Sequence, residues 1–317
     1  MLIYVLFALG FFLLVKGADL LIEGASSIAG RLNVSNLAVG LTIVAFGTSL
    51  PELMVNLFAS FSGRSEIALG NIFGSNIANI LLILAVTAII CPLPLKRSTI
   101  FSEIPFTLIA ALLVGFLANV TLLDNDHNLR LNRLEGFILL FFFGLYMLYV
   151  FNLSKTDPDQ GAKSNILPVG KSVFFIIGGT VFLSLGGKWI VDGAIELAEL
   201  LGVSQSFVGL TVVAVGTSLP ELVTSVVAAH KRNIDIAVGN VIGSNIFNLL
   251  WILGISAIIR PLSFNVIGNA DIMVMVLSGT MIILAIAIGK KNNLNRISGV
   301  MFFLSYLAYI YYLIKRK

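Results

Sequence analysis

The chain is poor in cysteine, histidine and charge. Of its 317 residues one is cysteine, two are histidine and 11% are Asp, Glu, Lys or Arg. The lone Cys91 excludes an intramolecular disulfide and a cysteine-built metal cage, and it reads as an inert packing residue. His127 falls in a loop and His230 at a helix end, so neither reads as catalytic, and no clustered imidazoles are offered to zinc or copper. A phosphate-cradling nucleotide motif is also absent, which argues against nucleotide hydrolysis as an energy source. The charge deficit excludes the most. A soluble domain carries roughly 25% charged residues, whereas this chain is 58% hydrophobic with a mean hydropathy of +1.01. It reads as a membrane protein.

What is present fits that class. A helical span needs about 20 apolar residues, and the chain divides into ten such stretches, at about 1–24, 36–60, 66–91, 100–120, 133–152, 170–198, 205–230, 235–259, 268–289 and 294–314. Runs such as Ile80 to Ile90 are apolar on every face, unlike the alternating pattern of a β-barrel strand. Helical spans are therefore expected. The first run lacks a basic n-region and a small-residue cleavage site, which predicts a retained helix rather than a signal peptide. The net charge of +4 and pI near 9.2 arise in short loops, where Lys and Arg orient a chain in the bilayer rather than bind nucleic acid. Loops on the side of Lys96, Lys155 and Lys231 carry eleven basic residues, and those on the side of Arg64, Arg130 and Arg260, with the tail, carry seven. This predicts a cytoplasmic connector near Gln160 and both termini outside. Tyr306, Tyr309, Tyr311 and Tyr312 beside the basic tail read as an interfacial aromatic belt. Lys16, Asp19 and Glu23, near the expected end of the first span, read as snorkelling side chains.

Shifting the chain by 169 residues superposes it on itself without a gap. Val34–Leu93 and Val203–Leu262 then share 33 identities in 60 positions, and Gly17 falls on Gly186, Gly24 on Gly193, Glu52 on Glu221 and Pro92 on Pro261. Chance does not supply such a match, so the halves arose by duplication. Each half holds five spans, and an odd number makes the second half enter the membrane from the opposite side. The expected architecture is an all-α integral membrane protein of ten transmembrane helices in two inverted five-helix repeats, over 1–153 and 170–317, with a cytoplasmic linker over 154–169. Inverted repeats are a recurrent plan of secondary transporters, whose cargo binds near the midplane where the repeats meet.

The best-matched stretch runs from Gly40 to Leu53 and from Gly209 to Leu222, and both copies contain Gly-Thr-Ser-Leu-Pro-Glu. Pro51 and Pro220 cannot donate to the carbonyls of Gly47 and Gly216, which predicts kinked helices with carbonyl oxygens freed toward a cavity. Glu52 and Glu221 lie about two-thirds along their spans, where an acid costs on the order of 3 kcal/mol. Thr48 and Thr217, four residues earlier, share their helix faces. Carboxylate, hydroxyl, amide and carbonyl oxygens suit Ca2+, Mg2+ or Na+. The alternative, a pair of kinked packing helices with structural glutamates, does not account for duplication of the whole motif. A second paired motif, Gly-Asn-x-x-Gly-Ser-Asn-Ile-x-Asn, runs over 70–79 and 239–248. Gly70 and Gly74 alone would read as a close helix contact. Ser75 with Asn79, and Ser244 with Asn248, share faces and read as ion ligands, while Asn71, Asn76, Asn240 and Asn245 lie off those faces and read as structural hydrogen-bond formers.

These duplicated motifs resemble the two alpha repeats of the calcium/cation antiporter superfamily, specifically its prokaryotic sodium/calcium exchanger branch. The resemblance covers both halves and all ten expected spans. It implies a core of helices 2, 3, 7 and 8 across which helices 1 and 6 slide. It also implies ion ligands from Glu52, Glu221, Thr48, Ser49, Thr217, Ser218, Ser75, Asn79, Ser244 and Asn248, with the backbone carbonyls of Ala45 and Ala214. Many relatives have aspartate where this chain has Asn248, which leaves ion number and selectivity open.

The function these readings predict is secondary active antiport of Ca2+ for Na+ by alternating access. Two glutamates supply the −2 charge that matches one Ca2+, and several Na+ would compete for the same oxygens. Ca2+/H+ exchange and K+-dependent Na+/Ca2+ exchange at the same site are the alternatives. An enzyme is not expected, because Ser49 and Ser218 lack a His or Lys base at matching depth, and no cofactor is expected. The expected partners are the lipid bilayer and the transported ions, in a prokaryotic plasma membrane. Oligomeric state is left open.

Overall fold

Helices follow the apolar runs. The computed structural model describes residues 2–120, 129–156, 166–200, 214–263, 268–288 and 292–316. Among these, eight helices are long and apolar enough to cross a membrane. They are α1 (Leu2–Leu32), α4 (Ser65–Ile90), α5 (Thr99–Asn119), α6 (Arg133–Thr156), α7 (Val169–Leu200), α10 (Ile234–Ile259), α11 (Gly268–Ile288) and α12 (Arg296–Lys315). A further span is broken into α2 (Asn36–Thr48) and α3 (Leu50–Phe61), bent by 49°. Of the expected span at 205–230 the structure describes α8 (Ala214–Thr217) and α9 (Leu219–His230). Its beginning, most of the linker including Gln160, and His127 lie outside the described residues.

Burial separates centre from periphery. In α4 and α10, 78% of the most apolar stretch is buried, against 22–39% in the other long helices, so these two form the middle of the bundle. Their second halves open with π-helical turns, Asn79–Leu84 and Phe247–Ile252, and the polar residues Asn79 and Asn248 fall within them. Such widened turns are frequent at functional sites, and hydrophobic periodicity gave no sign of them.

The first helix runs to Leu32, past its expected end near residue 24, because Ala25, Ser27 and Ala29 continue its buried face. Asp19 consequently lies mid-helix, and its Oδ1 meets Nζ of Lys231, the residue that follows His230, at 2.7 Å, with both side chains part-exposed. Helices α1 and α7 pack antiparallel along glycines spaced by seven. A Cβ on Gly10 would come within 2.9 Å of the Gly186 carbonyl, one on Gly17 within 2.8 Å of that of Gly179, and one on Gly24 within 2.7 Å of that of Ser172. The backbones touch because small residues permit it.

Two short antiparallel ladders, β1 (Leu93–Pro94) with β4 (Asn293–Leu294) and β2 (Arg130–Leu131) with β3 (Leu262–Ser263), clip loops of one half to loops of the other. Of the four tyrosines expected to form an aromatic belt, Tyr311 and Tyr312 are exposed, but Tyr306 and Tyr309 are buried, and Tyr309 donates to Asp271 Oδ1 at 3.1 Å. Gly70 and Gly74 do not make the close contact their spacing suggested, since a Cβ on either meets nothing within 4 Å. Their counterparts Gly239 and Gly243 press on the backbone at Leu41. The stretch at 209–213 that corresponds to this partner lies outside the described residues.

Candidate ion-binding site

The breaks in the two kinked spans place the site. In the first half the chain leaves helical geometry at Ser49 and restarts at Leu50, with Pro51 in the opening turn, where its missing N–H has no helical partner to lose. The second half repeats this at Ser218, Leu219 and Pro220. The prolines thus begin new helices rather than bend continuous ones. Glu52 and Glu221 stand in the first turns of those helices, where the dipole favours negative charge, and both are fully buried.

The glutamates are held crosswise. Ser49 Oγ of the first half donates to Glu221 Oε1 at 3.0 Å, and Ser218 Oγ of the second donates to Glu52 Oε1 at 3.3 Å. Each acid also takes a longer bond from its own half, Ser75 to Glu52 and Ser244 to Glu221, both at 3.5 Å. Thr48 Oγ1 lies 3.0 Å from Asn240 Oδ1, 3.2 Å from the Ala45 carbonyl and 3.4 Å from Ser244 Oγ. Thr217 reaches Asn71 Oδ1 at 3.5 Å, and Asn79 Nδ2 donates to Asn245 Oδ1 at 2.9 Å. The sequence-selected residues therefore form two hydrogen-bonded groups, Glu52 with Ser218 and Ser75, and Glu221 with Ser49, Ser244 and Thr48, each drawing on both halves. Thr217 attaches to the Glu52 group through Asn71, whereas Asn79 bonds to Asn245 apart from both groups. Ala45 is buried beside Thr48 and Ala214 opens α8, while Asn248 lies one turn beyond Ser244.

What the site lacks is as telling as what it holds. Among the described residues, Glu52 Oε2, Glu221 Oε2, Asn79 Oδ1 and both polar atoms of Asn248 are buried without a hydrogen-bond partner. Leaving a buried polar atom unpaired costs about 1–3 kcal/mol, and more for a charged group. Among the described residues no Lys, Arg or His pairs with either glutamate. No group of three or more His, Cys, Asp or Glu is found among them either. The donors that remain are oxygens of carboxylate, amide, hydroxyl and carbonyl, the set that suits a hard cation.

A family model described as sodium/calcium exchanger protein matches residues 2–152 and 171–315. The chain belongs to this family. Its members are membrane antiporters of cations, and the present one is a multi-pass membrane protein. Sodium/calcium exchanger MaX1 of Methanosarcina acetivorans is 34% identical to this family member over 98% of the chain and 99% of its own length. Inner membrane protein YrbG of Escherichia coli is 35% identical over 97% of the chain and 96% of its own. A solved structure of the sodium-calcium exchanger NCX_Mj, soaked with 10 mM Na+ and zero Ca2+, aligns with a TM-score of 0.83 at 31% identity, covering 98% of both chains.

Several residues of this antiporter escaped the sequence reading. Asn56 is fully buried one turn after Glu52, and its Oδ1 accepts from Asn71 at 2.7 Å. Its place four residues from the acid was the available signal. Glu103, fully buried in the first turns of α5, accepts a hydrogen bond from Tyr149 of α6 on Oε1, and its Oε2 has no partner. Asp271, in the first turn of α11, is held by both Tyr309 and Arg316. An acid one turn inside a span was the signal for both.

Proposed function

We propose that the chain exchanges Ca2+ for Na+ across a prokaryotic plasma membrane by alternating access. Its ion site comprises Glu52, Glu221, Thr48, Ser49, Thr217, Ser218, Ser75, Asn79, Ser244 and Asn248, with the carbonyls of Ala45 and Ala214. The observation that carries this reading is the pair of buried carboxylates, each tied to a serine of the opposite half and each keeping a second oxygen unpaired. One Ca2+ neutralises both acids, and Na+ ions take the same oxygens in its place. Exclusive occupation of one set of ligands couples the two fluxes. The names of MaX1 and NCX_Mj support the ion pair, and that of YrbG supports the inner membrane.

The architecture in this proposal is ten helices in two inverted repeats, 1–153 and 170–317, joined by a linker over 154–169. The crosswise serine bonds and the antiparallel packing of α1 on α7 support it. The linker faces the cytoplasm and both termini face out. A cysteine at Gln160, with Cys91 replaced by alanine, is expected to resist impermeant maleimide in intact cells, and labelling from outside would reverse the assignment. The coupling ion is tested by radiolabelled Ca2+ uptake into proteoliposomes given an outward Na+, K+ or H+ gradient, each alone. Uptake driven by Na+ alone is the expected result. Uptake that needs K+ as well, or that follows H+ without Na+, would replace this coupling with one of the other two.

A further inference from the structure

Asn71 and Asn240 recur at the same place in the two halves and make the same three contacts. Asn240 Nδ2 donates to the Glu221 carbonyl at 3.2 Å and to Ser225 Oγ at 2.9 Å. Asn71 Nδ2 donates to the Glu52 carbonyl at 3.3 Å and to Asn56 Oδ1 at 2.7 Å. Their amide nitrogens are thus anchored to the helix that carries the glutamate of their own half. Their amide oxygens face across to the other half, Asn240 Oδ1 to Thr48 at 3.0 Å and Asn71 Oδ1 to Thr217 at 3.5 Å.

A hydroxyl has one proton and two lone pairs, and it can ligate a cation only with the proton turned away. Thr48 has four neighbouring acceptors to which its proton could go: Asn240 Oδ1 at 3.0 Å, the Ala45 carbonyl at 3.2 Å, Ser244 Oγ at 3.4 Å and the Glu221 carboxylate. The last three belong to the proposed ligand set. A proton sent to any of them would occupy a lone pair that the ion needs. Because the Nδ2 bonds fix which end of the amide faces Thr48, only an acceptor is presented there. We propose that Asn240, and Asn71 in the other half, are positioning residues that take the threonine proton and so keep the lone pairs of Thr48, Ala45 and Thr217 directed at the cation.

This inference rests on the proposed ion site, and a double-mutant cycle separates the two. Ca2+ binding to purified protein and the KM for Ca2+ uptake are measured for Thr48→Val, Asn240→Leu and the double variant. Thr48→Val is expected to weaken Ca2+ binding. Asn240→Leu is expected to raise Kd and KM by about threefold to tenfold, the worth of one hydrogen bond, with turnover at saturating Ca2+ largely kept. In the Thr48→Val background the asparagine change should add little, since the hydroxyl it orients is gone. An equal effect in both backgrounds, or a loss of folded protein with unchanged KM in what remains, would reduce Asn240 to a scaffold residue. If Thr48→Val itself leaves Ca2+ binding unchanged, it is the ligand assignment that falls. Should Asn240→Leu not fold, Asn71→Leu with Thr217→Val gives the same cycle in the other half, with a smaller coupling expected from its 3.5 Å contact. Additivity there overturns the proposal.

Discussion

Glu103 and Asp271 stand near the starts of α5 and α11, one residue out of register under the 169-residue shift, each bonded to a tyrosine of the next helix, Tyr149 or Tyr309. In the second half Arg316 closes on Asp271 with two bonds, at 2.8 and 3.1 Å. In the first half no such cation meets Glu103 among the described residues, and its Oε2 is unpaired. A similar contrast holds at the ion pair of Asp19 with Lys231, whose places 169 residues away are taken by Lys188 and Ser62. The centre differs from both. There the contacts of Glu52 and Glu221, and of Asn71 and Asn240, recur almost atom for atom. In the proposed mechanism the two halves exchange roles between inward and outward states, so the ligands must serve both states alike. Peripheral contacts carry no such demand, and a pair present in one half only favours one state.

The largest expected effect tests the centre. Glu52→Gln and Glu221→Gln should each abolish Ca2+ exchange with near-normal membrane expression, because glutamine keeps the shape and removes a charge the ion requires. Combining them should add nothing. Near-normal uptake by a well-folded single variant would end the site assignment.

Next in size is the peripheral contrast. Arg316→Gln strips Asp271 of its counter-charge and should destabilise the fold by about 2 kcal/mol, less than for a fully buried pair because Arg316 is partly exposed. Glu103→Gln removes an acid with no counter-charge and should leave the thermal midpoint unchanged or raise it. Equal losses of thermal stability in the two variants would erase the distinction between the halves.

A smaller effect is expected at Asn248, whose amide makes no hydrogen bond. Asn248→Asp should leave a folded protein but add a third acid to the cluster, making uptake more dependent on pH and altering the preference between Na+ and Ca2+. An unchanged profile would remove Asn248 from the site. The smallest effect belongs to Lys231→Gln. The Asp19 pair is part-exposed and worth at most about 1 kcal/mol, so the ratio of forward to reverse exchange rates should shift by no more than about fivefold with Ca2+ affinity preserved. A lower affinity at unchanged rate ratio would place Lys231 in the binding step instead.

Much of this was legible before any coordinates. Apolar run length marked the helices, the 169-residue shift exposed the duplication, and the cost of an acid in hydrocarbon singled out Glu52 and Glu221. Helical periodicity is a poorer guide from Thr48 to Glu52, because the helix breaks at Ser49 between them. Tyr309 was misread because a row of tyrosines near a basic tail looks the same whether it faces lipid or a buried aspartate.

The sequence by itself determined which residues are polar inside the membrane and, along an unbroken helix, which of them share a face, since both follow from local spacing and the cost of desolvation. It could not determine what stands opposite each face. That Ser49 serves Glu221 rather than Glu52, that Asn240 meets Thr48 across the halves, and that α1 lies on α7 backbone to backbone are decisions of packing. They depend on the angle at which two broken helices cross and on π-helical turns that rotate side chains by a fraction of a turn, and neither leaves a period in the chain.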